Sequence, residues 1–194
     1  MAASKRIVIA FGRFNPPTTG HEVLIKFIQD TARRFQADVR IYASPSQDPK
    51  KNPLPFGEKV RFMKHFFRGV TVSDNAAIRT PIDAFKECSD AGYRELYVVV
   101  GSDRVTGFSA FSQYLVPPTS PKYNASKHIA MDKYTVVPVP GNRDPDADDV
   151  AGMSASKLRG FATVGDFASF KQGVPVAAYA DQLYRSLRRY MNVK

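Results

Sequence analysis

The chain has 194 residues, 43% of them hydrophobic and 24% charged, with a formal net charge of +10. That balance belongs to an ordinary soluble globular protein of one compact domain, and no run approaches the roughly 18 consecutive apolar residues of a membrane span. One cysteine, Cys88, excludes an internal disulfide, and the start Met1-Ala2-Ala3-Ser4-Lys5-Arg6 lacks the apolar region and cleavage pattern of a signal peptide, so a cytoplasmic protein is expected.

The first element predicted is a strand over 5–11, where Ile7, Val8, Ile9 and Ala10 form the apolar, β-branched run of a strand buried on both faces. It stops at Gly12, and a turn-rich segment through Gly20 follows. From His21 to Phe35 the apolar residues Val23, Leu24, Phe27, Ile28 and Phe35 recur at helical spacing. Strand, loop and helix then repeat. Strands are predicted over 38–43, 69–72, 95–100 and 134–139, and helices over 56–67, 81–91 and 105–115. Residues 116–127 and 140–150, rich in Pro, Ser, Asn and Asp, read as loops suited to be mobile lids. From Ser154 onward the chain reads as helical, ending in an amphipathic segment of about 18 residues that carries Arg185, Arg188 and Arg189. Alternation of this kind predicts an α/β fold: a doubly wound parallel sheet covered on both faces, with its ligand site beyond the carboxyl ends of the strands.

Two of the loops placed there carry chemistry. Gly12-Arg13-Phe14-Asn15-Pro16-Pro17-Thr18-Thr19-Gly20-His21 joins a tight turn to a helix start, where backbone N–H groups and the positive end of the helix attract anions. Thr18 and His21, three apart, fall on one side of that turn. Near the other end, Met153-Ser154-Ala155-Ser156-Lys157-Leu158-Arg159 places a capping serine, a second hydroxyl and two cations at another helix start. Between them, Ser46 to Pro55 with Glu58, Lys59 and Arg61 forms a basic segment after the second strand, and Gly101-Ser102-Asp103-Arg104 follows a central one. His65 and His128 lack such context and read as surface or helix residues; Cys88 reads as a helix-face residue.

Thr18-Thr19-Gly20-His21 resembles the signature of the nucleotidyltransferase superfamily (His or Thr, any residue, Gly, His), and Met153–Arg159 resembles its second signature, with Met153, Ala155 and Ser156 departing from the common form. The resemblance implies a Rossmann-like sheet of order 3-2-1-4-5 over residues 1–165 and a helical extension of the same domain over 166–194. It implies that His21, with Thr18 assisting, stabilises charge on the α-phosphate of a nucleoside triphosphate. Gly12, Arg13, Phe14, Asn15, Gly20 and Met153 would frame the nucleotide, Ser154 and Ser156 its β- and γ-phosphates, and Arg159 the departing pyrophosphate. Lys51, with Lys50 close behind, would reach the phosphates. Gly101, Ser102 and Asp103 resemble a segment of nicotinamide mononucleotide adenylyltransferases and would meet the acceptor. Mg²⁺ would ride on triphosphate oxygens and water, with no protein cage of its own.

The implied reaction is transfer of a nucleoside monophosphate from ATP or CTP to a phosphorylated small molecule. Nicotinamide mononucleotide is the acceptor favoured by the Gly-Arg-Phe and Gly-Ser-Asp segments; an alcohol phosphate receiving a cytidylyl group is the alternative. Class I aminoacyl-tRNA synthetases share the Gly-His element, but this chain lacks the length for their tRNA-binding domains. Residues 1–70 carry 13 Lys+Arg against 5 Asp+Glu, a difference of +8, and residues 71–194 carry 15 against 13, a difference of +2. That basic first half suits a polyphosphate, and it equally allows a non-catalytic nucleic-acid-binding or structural protein that keeps the fold. A homo-oligomer is compatible with the sequence, and no membrane partner is expected.

Overall fold

A computed structural model of the chain describes residues 4–140 and 153–193. The expected loop over 140–150 lies, from residue 141 onward, outside the described residues, as does Gly152. Five parallel strands form the sheet: β1 (Arg6–Gly12), β2 (Asp38–Ala43), β3 (Thr71–Val72), β4 (Glu95–Val100) and β7 (Lys133–Pro138). Their order is β3-β2-β1-β4-β7, the order 3-2-1-4-5 when the sheet's own strands are counted along the chain. The order reverses between β1 and β4, which makes their carboxyl ends the switch point of the sheet.

Alternation along the strands builds two cores. Val8 and Ala10 of β1, Ile41 and Ala43 of β2, and Tyr97 and Val99 of β4 face one side. They pack there against α1 (Thr19–Phe35), α2 (Phe56–Phe66) and the helices of the carboxyl-terminal region. Ile7, Ile9, Tyr42, Leu96, Val98 and Val100 face the other side, under α3 (Pro81–Asp90) and α4 (Val105–Ser109). A strand with apolar residues at every position is stable only when both faces are covered in this way.

Capping fixes where the helices begin. Thr18 and His21 form a capping box on α1, and Thr80 with Asp83 does the same for α3, which carries Pro81 in its first turn. Ser154 caps α5 (Ala155–Val164) by accepting the Lys157 N–H at 3.1 Å. Thr19, Phe66 and Asp90 are the observed bounds where His21, Phe67 and Ala91 were expected.

Two expectations need correction. Residues 105–115 do not form one helix: α4 has five residues and a 3₁₀ turn over Ala110–Tyr114 follows. Gly107 and the β-branched Val105 and Thr106 are weak helix formers, and Leu115–Val116 instead pairs as β5 with β6 (Ile129–Ala130) in a two-stranded sheet at the two ends of the expected loop over 116–127. The final amphipathic helix is α7 (Ala180–Tyr190), 11 residues long, after α6 (Phe167–Gln172) and a 3₁₀ turn at Ala177–Tyr179. It stops near Asn192, whose φ of 56° leaves the helical region. No described helix is long and apolar enough to cross a membrane.

Candidate active site

The loop after β1 is held from three directions before any ligand is considered. Asn15 is 1% exposed; its amide nitrogen donates to the Leu54 carbonyl and its amide oxygen accepts the Leu54 N–H, both at 3.0 Å. The Asn15 carbonyl accepts from the Arg159 guanidinium at 2.7 Å. At the start of α1, the Thr19 N–H donates to the Gly173 carbonyl at 3.0 Å. The loop after β1, the segment after β2 and the region around α5 and α6 thus converge on one short stretch of chain. A Cβ at Gly173 would run into Leu158 and Met153, so close approach of this last segment requires glycine there.

His21 is oriented by its own cap. Its Nδ1 accepts the Thr18 N–H at 3.0 Å and lies 2.9 Å from Thr18 Oγ1, while the His21 N–H meets Thr18 Oγ1 at 3.4 Å. A backbone N–H only donates, so Nδ1 is the acceptor, and in the neutral ring the proton sits on Nε2. Thr18 is 1% exposed. It therefore acts beneath His21 as its orienting residue, where the spacing alone placed both side chains on one phosphate.

Phe14 supports the ring from behind. It adopts φ of 46°, is buried, and sits 4.9 Å from the His21 ring and 6.0 Å from Phe67, centroid to centroid. Gly12 serves this packing: a Cβ there would stand 2.9 Å from the Phe14 ring edge. Gly12→Ala is expected to cost about 1–3 kcal/mol in urea unfolding, because a buried aromatic wedged between two partners has no space to retreat. Adding Phe14→Leu to that variant should recover part of the loss. An unchanged midpoint for Gly12→Ala would show that the ring yields freely.

Two adjoining hollows open at the carboxyl ends of β1, β2 and β4. The smaller, about 210 Å³, is walled by Gly12, Arg13, Phe14, His21, Gly101 and Asp103, among others. The larger, about 610 Å³, is lined by Phe11, Gly12, Arg13, Ser44, Ser46, Pro81, Asp103, Arg104, Gly107, Phe108 and Phe111. Gly12, Arg13, Asp103 and Arg104 border both. Burial lowers the Arg159 pKa from its ordinary value and neighbouring Arg13 lowers it further, against an opposite pull from Asp48. Two guanidinium groups that repel each other this way are stabilised by an anion placed between them.

Several other sequence candidates do not line these walls. Lys50 and Lys51 are exposed, and their backbone N–H groups fold onto the Asp48 carboxylate at 3.0 and 2.6 Å. Neither side chain lines the two hollows. Ser154 Oγ accepts the Lys157 N–H as a helix cap, Ser156 is exposed, and Met153 packs against the core that holds Leu158. Ser102 is exposed at the start of a 3₁₀ turn, whereas Asp103 turns its carboxylate back over Gly101. Gly20 is buried in the first turn of α1.

Sequence reasoning named Ser46, Lys59 and Arg104 within candidate segments without giving them a role, and it missed Ser44, Phe108 and Phe111 as wall residues. Ser44 and Ser46 follow β2 directly, and the rule that ligands sit beyond strand ends was enough to find them. Lys59 has a clearer signal. It occupies the apolar stripe of α2 with Phe62, Met63 and Phe66, and it is fully buried. Its Nζ donates to the Ser44 carbonyl, and burial pulls its pKa down to about 8.

Known proteins resemble this chain. A probable nicotinate-nucleotide adenylyltransferase of Thermosipho melanesiensis is 26% identical over 121 residues, which are 59% of this chain and 60% of that protein. The chain therefore spans 60% of the length of that relative. The crystal structure of a macrolide-efflux protein from Streptococcus pneumoniae superposes with a TM-score of 0.45 at 16% identity, over 90% of this chain and 65% of that one. A family model described as Cytidylyltransferase-like matches residues 9–160. That stretch takes in the sheet from within β1 to β7, His21, the walls of both hollows and Arg159, and the chain belongs to the Cytidylyltransferase-like nucleotidyltransferases.

Proposed function

We propose that the chain transfers the adenylyl group of ATP to the phosphate of a pyridine mononucleotide, nicotinate or nicotinamide mononucleotide. The observation that carries this reading is the larger hollow. Its 610 Å³ lie beside the His21 hollow, and Phe11, Phe108, Phe111 and Pro81 give it flat apolar walls while Arg13 and Arg104 give it cations. A small alcohol phosphate would leave most of those aromatic walls wet, whereas an aromatic ring on a ribose phosphate covers them and keeps its phosphate by the arginines. The relative described as a probable nicotinate-nucleotide adenylyltransferase supports the same choice.

In this reading an oxygen of the acceptor phosphate attacks the α-phosphorus of ATP as the bond to the β-phosphate oxygen breaks, and pyrophosphate leaves with that bonding pair. His21 donates its Nε2–H to an α-phosphate oxygen as charge builds there. Arg13 and Arg159 take the charge of the triphosphate, and Asp103 faces the acceptor. Placement and charge stabilisation suffice for this displacement, so no covalent intermediate on the protein is required. Among the described residues no group of three or more His, Cys, Asp or Glu gathers as a metal cage. Mg²⁺ bound by triphosphate oxygens and water fits that surrounding and would neutralise phosphate charge.

The test is pyrophosphate release with each of ATP, CTP, GTP and UTP plus Mg²⁺, against nicotinate mononucleotide, nicotinamide mononucleotide and glycerol 3-phosphate. ATP with a pyridine mononucleotide should be the productive pair. Turnover of CTP with the alcohol phosphate would replace this reading with a cytidylyltransferase. Absence of pyrophosphate from every pair, together with salt-sensitive RNA or DNA binding, would replace it with a non-catalytic nucleic-acid-binding protein.

A further inference from the structure

Lys59 is a buried cation without a counter-charge among the described residues. It is 0% exposed, and the Ser44 carbonyl is the acceptor of its ammonium. An ammonium offers three N–H donors, and a buried charge with one neutral acceptor is costly to keep. Charged groups on the surrounding elements do not relieve it. Glu58 turns to Arg61 and to Ser186 of α7, and Asp48 is filled by the Lys50 and Lys51 N–H groups and the Asn52 side chain. Arg13, on the neighbouring loop, carries the same sign. Burial is the sole cause of its lowered pKa.

The carbonyl it holds belongs to a wall. Ser44 lines the larger hollow, its hydroxyl lies 2.8 Å from that of Ser46 in the same wall, and its N–H donates to the Gly12 carbonyl at 2.8 Å. We propose that Lys59 is a positioning residue for an anion in the larger hollow, its ammonium acting as the buried counter-charge behind the Ser44–Ser46 wall. Apolar surroundings leave that charge weakly screened, so it acts through a carbonyl's thickness of protein where a surface lysine would not. The inference rests on the reading that this hollow takes the acceptor's phosphate. It adds that the charge on Lys59 and occupancy by an anion favour each other.

Sulfate tests this, because its charge is constant from pH 7 to 9.5 and it needs no nucleotidyl transfer. Its affinity follows from the rise in melting temperature with sulfate concentration. In the wild-type protein that affinity should fall about tenfold between pH 7 and 9.5, as an ammonium with its pKa near 8 loses its proton. Cys88, another buried group with a basic pKa, is pushed up to about 11 and lies in the core on the opposite face of the sheet. Lys59→Met should bind sulfate about tenfold more weakly at pH 7 and show no pH dependence, with the general salting-out effect appearing equally in both proteins. Lys59→Arg should keep wild-type affinity and hold it to pH 9.5. A flat wild-type profile, or a Lys59→Met variant that binds like the wild type, overturns the proposal. If Lys59→Met does not fold, the wild-type profile and Lys59→Arg decide it. None of these measurements contains ATP or an acceptor, so absence of transfer activity would not alter what they show about Lys59.

Discussion

Replacing His21 with alanine is expected to slow pyrophosphate release by about two to three orders of magnitude while the protein stays folded. The geometry behind this is the fixed tautomer. Nδ1 is occupied as an acceptor by the Thr18 N–H at 3.0 Å, which leaves the ring proton on Nε2, in a ring that lines the smaller hollow. In the proposed reaction such a donor meets the developing negative charge without rearrangement, and its removal therefore acts on kcat more than on KM. Folding suffers little, since alanine removes one side of a capping box, a loss of about 1 kcal/mol. Thr18→Val separates orientation from donation. It keeps the Thr18 N–H on Nδ1 and removes the hydroxyl 2.9 Å away, so a smaller loss, about tenfold, is expected. Rate constants from single-turnover mixing, with melting curves as the fold control, check both. A wild-type rate for His21→Ala would remove the imidazole from the mechanism.

The largest effect on stability is expected at Asn15. Asn15→Ala leaves the N–H and the carbonyl of Leu54 without partners in a region where Leu54 itself is 0% exposed. Two buried backbone groups orphaned together cost about 2–4 kcal/mol. Urea unfolding should show this as a lower midpoint at an unchanged slope. The same change frees the loop after β1 from the segment after β2, so the walls that Arg13 and Ser46 contribute lose their fixed spacing. Transfer should weaken beyond what the unfolded fraction explains. A variant with the wild-type midpoint would mean that water replaces both bonds, and the brace would not be the rigid element described.

The two-faced sheet and the position of the first loop were legible because each rests on local pattern, whereas the strand order came with the family resemblance. Apolar runs in β1 and β4 demand cover on both faces, and the alternation with helices demands a parallel sheet. What escaped is what depends on partners far along the chain. Residues 105–115 have enough apolar content for one helix, yet Leu115 and Val116 gain more by pairing with Ile129 and Ala130. Thr18 and His21 were read as neighbours on a turn, but which one faces the ligand depends on a hydrogen bond between them that spacing does not specify. Ser154 had a capping reading and a phosphate reading, and its hydroxyl is engaged with the Lys157 N–H. Lys59 was visible as a cation in an apolar stripe. Its meaning depends on Ser44, which another element supplies.

Asn15 and Thr19 are translated long before the groups that complete their hydrogen bonding, Arg159 and Gly173. While β1, α1 and β2 come together by contacts close in sequence, the loop after β1 still carries an unpaired carbonyl at Asn15 and an unpaired N–H at Thr19. This loop is therefore finished only when α5 and α6 close on it. A nascent chain holds most of its sheet well before this loop is complete.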